Sequence, residues 1–137
     1  EKKLIEVKII KEDFKSIPEP LETKYDLIFS NAVLQHMDRN QINNLLEFCK
    51  KISNPNCIYS HQIRFTDHIT GKKQSFEHYN CPKIIWDSNI FKKFPFWTNR
   101  IYLEEYIKIF KSFGLTDKNY KNIKKDKLFE NYQFILK

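Results

Sequence analysis

Two histidines beside polar residues are the side chains of this chain best suited to chemistry. His36 lies shortly after an apolar run that ends in Ser30 and Asn31, and His61 lies in a second apolar run. A neutral imidazole can take a proton from a hydroxyl or an amine, or it can order a turn by hydrogen bonding. His36 and His61 are therefore candidate catalytic residues, and for His36 both roles stay open.

The elements that carry these residues follow from the apolar spacing. Residues 25–30 form an unbroken apolar run, which is typical of a parallel strand buried on both faces. Asp38 and Gln41 form a capping-box pattern that predicts a helix over residues 39–52, and residues 57–63 form the next strand. Strand, helix and strand joined by short turns predict a parallel β-α-β unit, whose strands end at the ligand-binding edge of the sheet.

Residues 25–37 read YDLIFSNAVLQHM, and the pattern D-x-I-x-S-x-x-V-L-x-H resembles the fourth strand and following turn of class I S-adenosylmethionine-dependent methyltransferases. The segments YSHQIRFTDH, residues 59–68, and WTNRIYLEEY, residues 97–106, are similar to a second block found in a subset of the bacterial enzymes. The matching positions are Ser60, His61, Ile63, Asp67, His68, Asn99, Arg100 and Gly114. Arg64 stands where that subset has an acidic residue.

The resemblance implies S-adenosylmethionine as the cofactor. Asp13 would accept a hydrogen bond from the adenine amino group, and Phe14 would pack against the ring, a pairing that suits a purine. Ser30, Asn31 and Ala32 would lie beside the methionine portion and the transferred methyl. Asn31 can also cap the turn that follows it.

The expected acceptor is an oxygen or nitrogen of a small molecule or glycan. Its candidate binding residues come from an aromatic-rich insertion at residues 66–98 and from the second block; they are His68, Trp86, Trp97 and Arg100. The aromatic residues can instead be core. For Arg100 we favour a structural tie, with Asp67 as partner, over binding of a carboxylate or phosphate.

The fold class expected from these elements is α/β: one partial domain over residues 1–137, the C-terminal part of a Rossmann-like methyltransferase sheet. The sheet would be mostly parallel, with strands at 4–10, 25–30 and 57–63 side by side and a final antiparallel strand at 132–136, at or near an edge. A further helix follows from the apolar spacing after Leu103 and stops at Gly114.

The chain has two glycines and no G-x-G loop, although these methyltransferases normally open with a strand and a glycine-rich loop. We therefore expect the fragment to bind S-adenosylmethionine weakly or not at all and to be inactive alone. The alternative is a non-catalytic remnant or partner subunit that acts as a binding module.

Composition and residue spacing limit the other classes of function open to this chain. The net charge of +7 comes mostly from lysines without interleaved arginine, which favours a solvated face over a nucleic-acid site. Three widely spaced cysteines indicate neither disulfides nor zinc, and no histidine pair has metal-ligand spacing, so we expect no metal. No apolar run is long enough to span a bilayer, and we expect a cytoplasmic protein of undetermined oligomeric state.

Overall fold

The computed structural model describes residues 13–19, 22–66, 76–122 and 131–136 of the chain. The strand predicted for residues 4–10 lies outside these ranges. So do Asp67, the predicted partner of Arg100, and His68, a predicted substrate-binding residue.

A parallel β-α-β unit forms the centre of the described structure. Its elements are β1 (Tyr25–Asn31), α1 (Arg39–Ile52) and β2 (Ser53–Arg64). Helix α1 begins where the sequence predicts because the Asp38 carboxylate accepts the Gln41 N–H while the Gln41 side chain accepts the Asp38 N–H. The two strands pair in parallel, which confirms the predicted unit.

Strand β2 starts directly after α1, earlier than the sequence predicts. Its pairing with β1 jumps from Tyr25–Ser53 to Leu27–Ile58, so residues 54–57 form an irregularity in the ladder. The short turn that the sequence predicts before residue 57, at Asn54-Pro55-Asn56, thus lies inside a longer strand. From Ile58 onward the register is regular and places Ser30 opposite His61.

Within the described residues, the remaining strands complete a four-stranded sheet in the order β1-β2-β4-β3. Strand β4 (Asn131–Leu136) runs antiparallel to β2 and to β3 (Asp117–Asn122), so β1, β2 and β3 share one direction. The last strand is therefore the antiparallel one and lies next to the edge strand β3, as predicted. Strand β3 was not predicted because its sequence, DKNYKN, lacks an apolar alternation.

One face of this sheet carries the core. Alternate residues of β2 are buried, and the His61 ring stacks on Phe110 of α3 (Leu103–Ser112). The fully buried members of the core come from β2, β4, α1, α3 and the turn after β1; they are Leu34, Ile42, Leu46, Ile63, Tyr106, Phe110 and Leu136. The core thus anchors both strand ends that carry the candidate residues.

The opposite face of the sheet is largely exposed. Leu27 and Phe29 of β1 are 56% and 74% exposed, and Ile58 of β2 lies on the same face and is 43% exposed. Successive strand residues point to opposite faces, and the described helices contact the face of Ile28 and Tyr59. The prediction that β1 is buried on both faces is therefore wrong in the described structure, where β1 is also the end strand.

The described part of the predicted insertion forms short helical turns around two indole rings. Helix α2 (Lys83–Trp86) carries Trp86, whose Nε1 donates to the Thr98 carbonyl at 2.8 Å. The Nε1 of Trp97 donates to the Trp86 carbonyl at 2.9 Å. Both rings are buried with their polar groups satisfied, so this segment has a small core of its own.

Helix α3 follows this segment and ends before Gly114, whose φ of +76° is the left-handed stop that the sequence predicts. Among the helices that the structure describes, none has the length and hydropathy needed to cross a membrane.

Candidate functional site

A cleft of about 420 Å³ lies against the strand ends β1 and β2 and is called the strand-end cleft below. Three of the residues predicted to hold a cofactor line it, Asp13, Phe14 and Ser30, together with His61. The rest of its wall is mainly apolar and includes Ile28, Val33, Met37, Leu45 and Cys49. Apolar walls with a few convergent polar groups are typical of small-molecule sites.

Two amide side chains of α1 hold the Asp13–Phe14 segment in place. Gln41 Nε2 donates to the Asp13 carbonyl at 2.8 Å, and Asn44 Nδ2 donates to the Phe14 carbonyl at 2.9 Å. Phe14 has a φ of +54°, a conformation that a non-glycine residue adopts only when its surroundings fix it. Sequence reasoning missed this role of Gln41 and Asn44, although their spacing of three places both on one face of a helix.

The Asp13 carboxylate is charged and accessible. It accepts hydrogen bonds from the Lys15 backbone N–H at 3.0 Å and from Lys15 Nζ at 2.9 Å. These bonds, led by the one from the Lys15 side chain, lower the pKa of Asp13. The residue therefore offers acceptor oxygens at the cleft, as recognition of an amino group requires.

Ser30 and His61 form a cross-strand pair on the floor of the strand-end cleft. Ser30 Oγ lies 2.8 Å from His61 Nδ1, on the ladder rung where the two residues are register partners. If Nδ1 carries the proton, the Ser30 hydroxyl can donate to a ligand; in the other tautomer it donates to His61 and offers only lone pairs. The imidazole thus controls what Ser30 presents to the cleft.

His61 is 1% exposed and packed in the core. Its ring lies parallel to that of Phe110, with centroids 5.8 Å apart, and burial lowers its pKa to about 4. Nε2 has no hydrogen-bond partner among the described residues, and Nδ1 is engaged by Ser30. This geometry suits a neutral residue that orients Ser30 better than a base that reaches an acceptor.

Asn31 and Ala32 do not line the strand-end cleft. Both are exposed, and Ala32 has a φ of +55° while its N–H donates to the Gln62 carbonyl at 2.9 Å. The left-handed conformation of Ala32 turns the chain sharply away from β1 towards the 3₁₀ turn Leu34–His36. Their predicted part in cofactor binding remains a prediction.

His36 is exposed at the end of that turn. Its Nδ1 lies 2.7 Å from the Trp97 carbonyl. A carbonyl only accepts, so Nδ1 carries a proton and the neutral ring has its lone pair on Nε2. Trp97 therefore fixes the tautomer and orientation that a base needs.

Asn99 ties the turn after β1 to the second sequence block. Its Nδ2 donates to the carbonyls of Leu34 at 2.8 Å and Met37 at 2.7 Å, and also lies 2.9 Å from the Tyr106 hydroxyl. Its backbone N–H donates to the Gln35 carbonyl at 2.6 Å. Asn99, the first residue of the matched Asn-Arg pair, thus holds the turn after β1 in place through its hydrogen bonds.

Of the other residues predicted to bind the substrate, Trp86 lies in the core, and Trp97 and Arg100 line a second cleft. Trp86 is 1% exposed and cannot present its ring to a substrate in this arrangement. Arg100 Nη2 donates to the carbonyls of His78 and, at 2.6 Å, Cys81, and its guanidinium lies over the Trp86 ring at 5.5 Å. Arg100 therefore contacts backbone carbonyls of the insertion, and both its predicted tie to Asp67 and the alternative, binding of a carboxylate or phosphate, stay predictions.

A second cleft, of about 580 Å³, lies at the N-terminal ends of α1 and α3 and is called the helix-end cleft below. Trp97, Asn99, Arg100 and Tyr102 are among its lining residues. Neither cleft is lined by both His36 and His61, so the prediction that the two imidazoles share one cleft stays a prediction. The described residues contain no group of three or more side chains that could hold a metal ion.

No protein-family model and no curated protein matches this chain. Solved structures do match its fold. An S-adenosylmethionine-dependent methyltransferase from Leishmania major is 13% identical with a TM-score of 0.58, and the match covers 94% of this chain and 44% of that protein. LepI in complex with S-adenosylmethionine is 10% identical with a TM-score of 0.57, covering 91% of this chain and 28% of LepI. The pyocyanin biosynthetic protein PhzM is 11% identical with a TM-score of 0.55, covering 92% and 33%.

These matches define the fold at low sequence identity. The chain has the fold of part of a class I S-adenosylmethionine-dependent methyltransferase, and it spans less than half the length of these solved proteins.

Proposed function

We propose that this chain serves the transfer of a methyl group from S-adenosylmethionine to an oxygen or nitrogen of a small-molecule or glycan acceptor. The observation that supports this best is that Asp13, Phe14 and Ser30 meet in the strand-end cleft. The resemblance had assigned all three to the cofactor. They come from two separate segments, and their meeting in one cleft is what a cofactor site requires.

The residues of the strand-end cleft have the chemistry that the cofactor needs. The charged Asp13 carboxylate would accept the adenine amino group, and the Phe14 ring offers an apolar face for the purine. The Ser30 hydroxyl, set by His61, would meet a polar group of the methionine portion. When bound, S-adenosylmethionine supplies an electrophilic methyl group.

Of the two histidines, His36 is the one we propose as base. Its lone pair on Nε2 would take the proton that the acceptor hydroxyl or amine loses as its oxygen or nitrogen bonds to carbon. Alignment of the reactants would supply most of the rate, and proton transfer a smaller part. His61 would act through Ser30, as a positioning residue.

The second candidate function is a binding module that uses this sheet without catalysis. The observation in its favour is the absence of any G-x-G in the 137 residues, since such a loop lets the backbone approach the cofactor closely. A module of this kind would not bind the cofactor.

Calorimetric titration with S-adenosylhomocysteine separates the two functions. We expect weak binding, with a dissociation constant above the micromolar range, that Phe14→Ala weakens further by at least several-fold. Phe94→Ala is the matched control because Phe94 is partly exposed and lines neither cleft. Equal binding by Phe14→Ala and by the parent chain would favour the module.

A further inference from the structure

The helix-end cleft has the size of a small-molecule site and lies beside the strand-end cleft. Its volume of about 580 Å³ falls in the usual range of ligand pockets. Met37 lines the strand-end cleft, while the next residues along the chain, Asp38 and Arg39, line the helix-end cleft. The two clefts are therefore lined by consecutive residues that follow the turn carrying His36.

One wall of the helix-end cleft is a stacked aromatic pair. The rings of Tyr79 and Tyr102 lie 5.4 Å apart at an angle of 17°. Tyr102 is 55% exposed, so the stack is open to solvent on its outer side. A flat ring can extend such a stack, because aromatic faces attract one another when offset.

The charged side chains that line the helix-end cleft have a net charge of +1, which one negative group on a ligand would neutralise. The lining of this cleft holds four cationic and three carboxylate side chains, so one positive charge is in excess; they are Arg39, Lys83, Lys92 and Arg100 with Asp38, Asp87 and Glu105. Glu105 already pairs with Arg39 at 3.0 Å, and Asp38 with Lys92 at 3.5 Å.

Among the described residues, neither Arg100 nor Lys83 has a carboxylate partner. The hydrogen-bond acceptors of Arg100 in the described structure are two neutral carbonyls, and its guanidinium also lies 6.0 Å from the Tyr79 ring centre. Burial raises the pKa of Tyr79 to about 12, so its hydroxyl stays protonated as a hydrogen-bond donor. An anion on a flat ligand would meet both groups beside the aromatic wall.

We propose that the helix-end cleft binds the methyl acceptor and selects a flat ring that carries a single negative charge, such as an aromatic carboxylate. The assignment as acceptor site rests on the proposed function, whereas the ligand class rests on the cleft itself. This proposal narrows the class of acceptor to a charged small molecule and excludes a neutral glycan.

The two tryptophans of the chain make the cleft directly observable. Trp97 lines it, and Trp86 contacts Arg100, so intrinsic fluorescence reports on its occupancy. The probes are benzoate, its neutral analogue benzamide, and acetate, which has the charge without the ring. We expect a saturable change with benzoate and roughly ten-fold weaker binding of the other two, because charge-assisted bonds and stacking are each worth about that factor.

Matched variants locate the binding. Tyr102→Ala and Lys83→Gln should each weaken benzoate binding several-fold. Phe94→Ala removes a ring that stacks on Phe96, and Lys93→Gln removes an exposed charge; neither residue lines the cleft, so both variants should bind like the parent protein. Equal affinity for benzoate and benzamide, or unchanged binding by Tyr102→Ala, overturns the inference.

The same protein titrated with S-adenosylhomocysteine keeps the two claims apart. Binding of S-adenosylhomocysteine without benzoate binding overturns the ligand class and leaves the proposed function standing. Binding of benzoate without S-adenosylhomocysteine overturns the acceptor role and supports an anion-binding cleft outside methyl transfer.

Discussion

The strand-end cleft and the helix-end cleft differ in what holds their residues in place. In the first, strand register sets Ser30 opposite His61, and two amide side chains fix a loop through its carbonyls. In the second, ring stacking and a partly buried guanidinium position the wall. Sites fixed by main-chain pairing tolerate changes in neighbouring side chains, whereas sites built from packed side chains change with them. A common cofactor suits the first arrangement and a particular acceptor suits the second.

The largest effect is expected where the two clefts are joined. Asn99→Ala removes the donor for the Leu34 and Met37 carbonyls and a partner of Tyr106. The substitution leaves buried polar groups unsatisfied. We therefore expect urea denaturation to show a loss of about 4 kcal/mol in the free energy of unfolding. Asn80→Ala, an exposed residue bonded to Glu77, should cost well under about 1 kcal/mol and serves as control. A loss that small for Asn99→Ala would show that the clefts are built independently.

At mildly acidic pH, His61 in the strand-end cleft should make the stability of the fold depend on pH. The pKa of His61 is about 4 in the folded chain and near its usual 6.5 when unfolded, so the unfolded chain takes up the proton first as pH falls. Stability is therefore lost between about pH 6.5 and pH 4, by about 3 kcal/mol. His61→Phe keeps the ring stacked on Phe110 and should abolish this contribution, as urea titrations at several pH values would reveal. Parallel pH curves for both proteins would contradict a buried, neutral His61.

Substitution of His36 tests whether the turn that carries it supplies a catalytic base. In a complete enzyme that combines this chain with a glycine-rich cofactor loop, His36→Ala should lower turnover about 100-fold with the fold intact, since that is the usual contribution of a general base. His61→Ala should also lower turnover, by altering Ser30. Full activity in both variants would leave alignment as the whole mechanism. Far-ultraviolet circular dichroism of both variants checks the fold.

The smallest effect concerns backbone strain at the end of β1. Ala32 has a φ of +55°, which glycine adopts freely. Ala32→Gly relieves that strain but also makes the unfolded chain more flexible. The net result should be a rise of about 0.5 kcal/mol in the free energy of unfolding. Denaturation midpoints decide this, and a clear loss of stability would mean that the methyl group of Ala32 makes a contact worth more than the strain.

Local signals in the sequence predicted the elements that local physics decides. The capping box of Asp38 and Gln41 located the start of α1, and the left-handed stop at Gly114 followed from residue type. Strand β3 was missed because its pairing with β4, and no apolar pattern of its own, makes it a strand. The exposure of Leu27 and Phe29 was missed because an apolar run does not say how many faces are covered.

The candidate site was predicted in composition but not in arrangement. Asp13, Phe14 and Ser30 were singled out, and they line one cleft. The pairing of Ser30 with His61 depends on register across two strands, and the burial of Trp86 depends on packing with Thr98 and Arg100. Such contacts between distant residues leave no periodic trace in a single sequence.

Amide chemical shifts recorded during two titrations test the separation of the clefts most directly. S-adenosylhomocysteine should shift the signals of Phe14 and Ser30 and leave those of Tyr79 and Tyr102 in place, while benzoate should do the reverse. Shifts at Tyr79 and Tyr102 with S-adenosylhomocysteine, or at Phe14 and Ser30 with benzoate, would contradict the division into a cofactor cleft and an acceptor cleft.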